Sequence, residues 1–459
     1  MSEPRSSFSF PKQFVWGAAA ASYQIEGAFE ADGKGPSDWD AFCRKPGAIF
    51  EGHSGDVACD HYHRFGEDVG LMKQLGVQAY RLSLAWPRLL PDGTGQVNPK
   101  GLAFYDRLID RLLEAGITPW VTLFHWDYPL RLFERGGWLS PDSSDWFADY
   151  VTLVAKHFSD RVSHFFTLNE PQVFIGFGLH EGRHAPGLTL PMSQVLSAGH
   201  NALLAHGKGV QALRASQKQP LTVGFAPVGL PKAPLSDDPA HVEVARQATF
   251  DIEAHTSWNN AWWMDPVYLG HYPAHGLEKY GKDAPKIGAS DMSTICQPLD
   301  FFGINIYHSI TAVPDASDAR GYRLIGWPPG FPHTAFNWPV TPEALYYGPR
   351  FFWERYKKPI AITENGLSCR DAVSLDGKVH DPSRIDFTQR YLREFRRSMD
   401  DGVEAKAYFH WSILDNFEWA AGYRERFGLV HVDYQTQKRT PKDSFYWYQE
   451  VIRQNGANL

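Results

Sequence analysis

The sequence predicts an α/β fold: a single (β/α)8 TIM barrel with its active site at the C-terminal ends of the strands. Three observations carry this. Eight apolar, strand-like runs recur along the 459 residues, helix-like amphipathic segments fill intervals between them, and most runs end in a polar or charged side chain. Alternating strand and helix favours a parallel sheet with helical crossovers. Eight such units point to closure, and closure gathers all C-terminal strand ends on one face. No GxGxxG opens a helix after a strand and there is no Walker A loop, so nucleotide-binding sheets lose support.

In chain order, the first run is FVWGAAAA (14–21). Helix-like RFGEDVGLMKQLG (64–76) then leads into VQAYRLSLAW (77–86). The next helix is the best marked. Asn98 suits an N-cap, Pro99 the first helical position and Gly116 a left-handed terminus. Tyr105, Leu108, Ile109, Leu112 and Leu113 form one stripe at helical spacing between them. ITPWVTLFHW (117–126) follows, nearly continuous in apolar residues, as a strand buried on both faces requires. DWFADYVTLVAKHF (145–158) precedes VSHFFTLNE (162–170). The remaining runs are LTVGFAP (221–227), LDFFGINIYHS (299–309), PIAITENG (359–366) and AKAYFHWS (405–412). With no low-complexity linker or long charge run, residues 1–459 are expected to form one catalytic domain, with a short flexible N-terminus over 1–8.

Composition narrows the function classes. Hydrophobic residues are 43% of the chain and the net charge is −7, which leaves no electrostatic footprint for nucleic acid or an anionic membrane. No apolar stretch reaches membrane-spanning length. The N-terminus lacks a basic head followed by a long apolar core, and four cysteines without a CxxC pair make no disulfide framework, so the cytoplasm is the expected location. Sixteen tryptophans fit either a large aromatic core or a site where pyranose C–H faces stack on indoles.

The strand ends present Arg81, His125, Asn169, Glu170, Asn305, Tyr307, Glu364, Asn365 and Trp411. A lone carboxylate leaving a strand is more often a helix cap or the partner of an arginine. Two of them, Glu170 and Glu364, each beside an asparagine at the mouth of one barrel, are the pair that glycoside hydrolysis needs. One gives a proton to the leaving oxygen and the other acts at the anomeric carbon, roughly 5–5.5 Å apart in the retaining geometry. Asp60, His61 and His63 in DHYHR lie near metal-ligand spacing, but no further ligands cluster with them; a role in the fold is expected, and no metal or other cofactor.

FTLNEP (166–171) and ITENG (362–366) resemble the two catalytic signatures of family 1 glycoside hydrolases, the retaining β-glucosidase family. FVWGAAAASYQIEGA, YRLSLAWPRLLP, TLFHWDYP and HWSILDNFEWAAGYRERFGLVHVDY are similar to further motifs of that family, so the resemblance runs from Phe10 to about Tyr446. It implies a (β/α)8 barrel, with Glu170 as acid/base and Glu364 as nucleophile. It implies that Gln24, His125, Asn169, Glu418 and Trp419 bind hydroxyls of the nonreducing sugar, with Trp411 as the platform under it. Tyr307 would hydrogen-bond the nucleophile with Asn305 beside it, Arg81 would lie near it, and Trp338 would stack on the leaving group.

Electrostatics adds two expectations: Arg81 and Tyr307 hold the Glu364 pKa down, and the Glu364 charge holds that of Glu170 up. The expected activity is exo-hydrolysis of β-glucosides or short oligosaccharides. Several alternatives stay open. They are activity leaning to β-galactosides or β-fucosides, a 6-phospho-β-glucosidase, which the Glu418 charge disfavours, transglycosylation, and a non-catalytic carbohydrate-binding relative. Nothing in the sequence sets the oligomeric state or the leaving-group preference, the latter expected to lie with the loops 174–192 and 309–345.

Overall fold

The computed structural model describes residues 8–253 and 255–459. Most of the expected N-terminal tail therefore lies outside the described residues; Phe8, its last residue, is exposed. All eight predicted runs form strands: β1 (Val15–Ala19), β2 (Ala79–Ser83), β3 (Thr118–Phe124), β4 (His164–Asn169), β5 (Thr222–Ala226), β6 (Phe302–Asn305), β7 (Ile360–Asn365) and β8 (Ala405–Trp411). They make one parallel sheet in the order β5-β4-β3-β2-β1-β8-β7-β6.

The barrel is nearly closed. Its two end strands meet through Asp300 N to Val223 O at 2.9 Å, Asn305 N to Pro227 O at 3.1 Å and Gly229 N to Asn305 O at 2.7 Å. Side chains fill the interior, as in a barrel of this size. Trp120, Phe166, Phe301 and Phe409 pack with Ala19, Ala79, Ala226 and Ala407 from neighbouring strands. Gly17 makes room for these rings, since a Cβ there would meet the Phe409 ring at 2.4 Å.

The helices form where the sequence places them. Residues Pro99–Glu114 are helical, with the Asn98 side chain accepting from Lys100 N at 3.2 Å and Gly116 at φ 78° just beyond. His61–Leu75 and Ser143–Phe158 fill the intervals before β2 and β4. The DHYHR residues join the fold: His61 Nδ1 contacts Asp68 Oδ2 at 2.7 Å, and Asp68 pairs with Arg439 at 2.9 Å.

Register sets the site. Ala19 on β1 pairs with Arg81 on one side and Trp411 on the other, while Glu364 pairs with Asn305 and Asn169 with Ala226. Residues scattered from 81 to 411 thus arrive at one rim. The register slips between Phe166 and Asn169 on β4, and between Ile362 and Glu364 on β7. Irregularities of this kind re-aim side chains next to active sites, and here they fall on the strands that carry the two glutamates.

Candidate active site

Glu170 sits immediately after β4 with φ 48° and ψ 66°, a left-handed backbone unusual for a side-chain residue. It holds the N-cap position of the helix Pro171–Ile175, yet its side chain makes no capping bond. The helix-cap explanation for this carboxylate therefore fails. It accepts instead from Asn305 Nδ2 at 2.6 Å. Glu364 is gripped from two sides, by Arg81 Nη1 at Oε1 (2.6 Å) and by the Tyr307 hydroxyl at Oε2 (2.7 Å).

The two carboxylates are linked through amides. Arg81 Nη2 donates to Asn169 Oδ1 at 2.6 Å, and Asn305 Nδ2 donates to that oxygen at 3.1 Å as well as to Glu170. With the Asn169 oxygen doubly engaged, its NH2 faces His125 Nε2 at 3.1 Å. That contact makes Nε2 an acceptor and leaves the ring proton on Nδ1. Burial and the Arg81 charge push the His125 pKa well below its usual value, so the imidazole is neutral.

The two glutamates titrate in different surroundings. Burial and the Glu364 charge push Glu170 well above the ordinary carboxyl range, with Asn305 and Arg81 opposing. Glu364 departs from the sequence expectation. Arg81 and Tyr307 do pull its pKa down, but burial outweighs them and the net direction is upward. The cation contact on Glu364 still makes it the carboxyl that ionises first, because the charge of Glu364 weighs on Glu170 while Arg81 and Tyr307 favour the anion at Glu364.

Beside this pair lies a cavity of about 710 Å³ whose wall includes His125, Glu170, Glu364, Trp411, Glu418 and Trp419, with Tyr307 and Trp338 also lining it. Gln24, Arg81, Asn169 and Asn305 are buried; of these, the last three act through the hydrogen bonds above. Gln24 Nε2 donates to Asn416 Oδ1 (3.0 Å), Phe417 O (2.9 Å) and Glu418 Oε2 (3.3 Å). Burial, with the charges of Glu364 and Glu425, pushes Glu418 up to about 8. The rings of Trp411 and Trp419 lie nearly parallel to the His125 ring, at 5.8 and 6.0 Å. Trp338 leans on Tyr307 (5.0 Å) and stacks on Phe336 (4.8 Å).

Sequence reasoning missed several residues here. Trp126, at φ 81°, donates its indole N–H to Asn169 O at 2.9 Å and packs on Trp419 at 4.5 Å. Segment 47–51, with His184, Arg424 and Phe427, also lines the cavity. The TLFHWDYP motif contains Trp126, and HWSILDNFEWAAGYRERFGLVHVDY contains Arg424 and Phe427, so the two motifs could have flagged them. His184 falls in the loop 174–192 expected to bear on the leaving group, and segment 47–51 carries no periodicity or pairing to single it out. Among the described residues, no group of three or more His, Cys, Asp or Glu is placed to hold a metal ion.

Comparison with known proteins follows the same lines. Residues 6–457 match the profile of glycosyl hydrolase family 1. The chain is 43% identical to Beta-glucosidase A of Acetivibrio thermocellus, over 98% of this chain and 100% of that one. It is 39% identical to an aryl-phospho-beta-D-glucosidase of Bacillus subtilis, covering 98% of each. Among solved structures, the family 1 β-glucosidase from Thermotoga maritima superposes with a TM-score of 0.90 at 42% identity, covering 98% of this chain and 99% of that one.

Proposed function

From the premise that this chain belongs to glycosyl hydrolase family 1, we propose that this glycoside hydrolase is a retaining exo-β-glucosidase. It would release terminal nonreducing β-D-glucosyl residues from short oligosaccharides or from aryl and alkyl glucosides. The observation that carries the reading is the unequal treatment of two buried glutamates: Glu364 in the grip of Arg81 and Tyr307, Glu170 held by a neutral amide.

In this mechanism Glu364, ionised, attacks the anomeric carbon while Glu170, protonated, gives its proton to the leaving oxygen. The ester formed on Glu364 carries no charge. The repulsion on Glu170 is thereby relieved, its pKa falls, and it takes a proton from the incoming water. Water attack then expels Glu364, and two inversions leave the β-configuration. Asn169 has an NH2 available to the sugar 2-hydroxyl, a contact that strengthens in the transition state. Gln24, His125, Glu418 and Trp419 bind the remaining hydroxyls, Trp411 supports the ring and Trp338 faces the leaving group. The reading treats 1–459 as one catalytic domain, supported by a core cluster that runs from Phe10 to Leu459.

The polar wall also bears on the 6-phosphoglucoside alternative. Glu425 is buried and its charge acts on Glu418. Glu425 is itself paired with Arg424 at 2.9 Å and Glu418 is pushed up to about 8, so their repulsion of a phosphate dianion grows only as pH rises toward 8. A panel of 4-nitrophenyl β-glucoside, β-galactoside, β-fucoside and 6-phospho-β-glucoside tests the reading. Highest kcat/KM on the glucoside is expected; a preference for the phosphorylated substrate, or no hydrolysis of any, would overturn it.

A further inference from the structure

The segments that carry Gln24 and His125 are tied together behind the catalytic cavity. Gln24 lies in the short helix Ser22–Ile25 after β1, and His125 in the turn that leaves β3. Two residues beyond His125, Asp127 accepts from the Ser22 hydroxyl, Oγ to Oδ2 at 3.0 Å. Ser83, the last residue of β2, completes the junction. Its Oγ accepts from Ser22 N at 2.7 Å and donates to Ser22 Oγ at 2.9 Å. The ends of β1, β2 and β3 thus meet at one hydroxyl, and Ser22, Ser83 and Asp127 are all buried.

The far side of Asp127 is built as carefully. Burial and the Glu26 charge push its pKa well above the ordinary carboxyl range, with Ser22 opposing, so the group is a neutral acid with an O–H to donate. Asp127 Oδ1, Asp40 Oδ1 and Arg88 Nη1 are buried and have no hydrogen-bond partner among the described residues. Their residues line one small cavity of about 10 Å³, close to the least volume that admits a water. The other atoms of these groups are engaged: Asp40 Oδ2 with Ser37 and Lys34, Arg88 with Glu26 and Gly27 O. One water in this cavity accepts from Arg88 Nη1 and from the Asp127 O–H and donates to Asp40 Oδ1. All three atoms are then satisfied.

We propose that Asp127 is a positioning residue for the sugar-binding end of the cavity. Moored on one side by that water, it holds Ser22, and through Ser22 the helix that presents Gln24, in register with the turn that presents His125. The proposal rests on the hydrolase reading above. Asn416 and Phe417 O fix the Gln24 amide from its other side, so loss of Asp127 loosens the grip on the sugar without abolishing it.

The test measures the inhibition constant of 1-deoxynojirimycin, which carries glucose-like hydroxyls and no leaving group, in the wild type, Asp127→Ala, Asp127→Asn and Ser22→Ala. An inhibition constant does not depend on how much of a variant is folded. Asp127→Ala and Ser22→Ala should each raise it about tenfold, the scale of one lost buried hydrogen bond. Asp127→Asn keeps an acceptor for Ser22 and a donor for the water, and should leave it nearly unchanged. A crystal structure should show one water within hydrogen-bond distance of Asp40, Arg88 and Asp127; an empty cavity there would overturn the mooring. Variants that lose thermal stability at an unchanged inhibition constant would leave Asp127 a stabiliser of the fold alone and overturn the proposal. Equal weakening in Asp127→Asn would overturn it too. Should Asp127→Ala not fold, Ser22→Ala carries the same comparison. A wild-type enzyme that hydrolyses no β-glycoside would instead overturn the hydrolase reading, and the proposal with it.

Discussion

Arg81 and Glu364 meet end to end, Nη1 to Oε1 at 2.6 Å, with both side chains almost wholly buried. The second terminal nitrogen of Arg81 goes to Asn169, so the cation favours the anion of one glutamate and orients the amide beside the other. Below it the guanidinium rests over the Phe166 ring at 5.1 Å, part of the aromatic packing that fills the barrel.

Removing that cation should be felt in rate and in pH dependence together. Arg81→Ala is expected to lower kcat/KM on the order of 10²–10³-fold, the scale for losing one preorganised charge partner. Without the positive charge the Glu364 pKa rises further. The acidic limb of the pH profile, which requires ionised Glu364, therefore moves to higher pH. Arg81→Lys keeps the charge and should move that limb less. A profile with an unmoved acidic limb in Arg81→Ala would separate Arg81 from the ionisation of Glu364.

The alkaline limb belongs to Glu170 in this account. Its pKa is raised by burial and by the Glu364 charge, so activity falls as pH rises through it. Glu364→Gln removes the neighbouring charge while leaving the burial in place. Carboxyl 13C titration of Glu170 in that variant should show a lower pKa than in the wild type. No downward shift would mean that burial alone sets the value.

Glu170→Ala separates the two half-reactions. Turnover of a poor leaving group such as the sugar of cellobiose should collapse by about 10²–10⁴-fold, the range for general acid catalysis. With 2,4-dinitrophenyl β-glucoside, which needs no proton to depart, added azide should restore turnover and yield a β-glucosyl azide. Failure of azide to accelerate the reaction would remove Glu170 from the acid/base role.

A stability prediction concerns the ion cluster behind the rim. Lys442 bridges Asp415 (2.7 Å) and Asp371 (2.5 Å), and Lys442 and Asp415 are fully buried. Lys442→Ala takes one of two cations from buried Asp415, which keeps Arg426 at 2.7 Å, and should cost up to about 3–5 kcal/mol in denaturant unfolding. Burial alone would raise the Asp415 pKa, but Lys442 and Arg426 outweigh it and hold it below the ordinary range. The stabilisation is thus present above the unfolded carboxyl pKa of about 3.9 and is lost as pH falls through the folded value. The gap between wild type and variant should accordingly narrow in acid; a gap constant from neutral to acid pH would assign the loss to packing alone.

How legible this was differed from residue to residue. The eight strands could be read because buried parallel strands must be apolar throughout, and Asn98, Pro99 and Gly116 mark helix ends by local chemistry. Glu170 and Glu364 stood out as carboxylates where a buried run stops. The site walls followed a different logic. Segment 47–51 reaches the cavity from a long loop whose course no local pattern dictates. The three-stranded sheet of Lys232–Pro234, Ile310–Pro314 and Tyr322–Ile325 went unforeseen for the same reason. The Glu364 pKa shows a further limit: its partners Arg81 and Tyr307 were readable, but the depth of burial that outweighs them is a property of the folded barrel.

The central claim is that Glu364 forms the covalent bond to the sugar, and trapping that bond tests it most directly. The enzyme is incubated with 2,4-dinitrophenyl 2-deoxy-2-fluoro-β-glucoside, which slows both steps but keeps a leaving group good enough for the first. After inactivation, peptic digestion and mass spectrometry locate the label. The account predicts one fluoroglucosyl ester per chain, on Glu364. A label on Glu170 or elsewhere, or an active enzyme that the reagent leaves unlabelled, would contradict it.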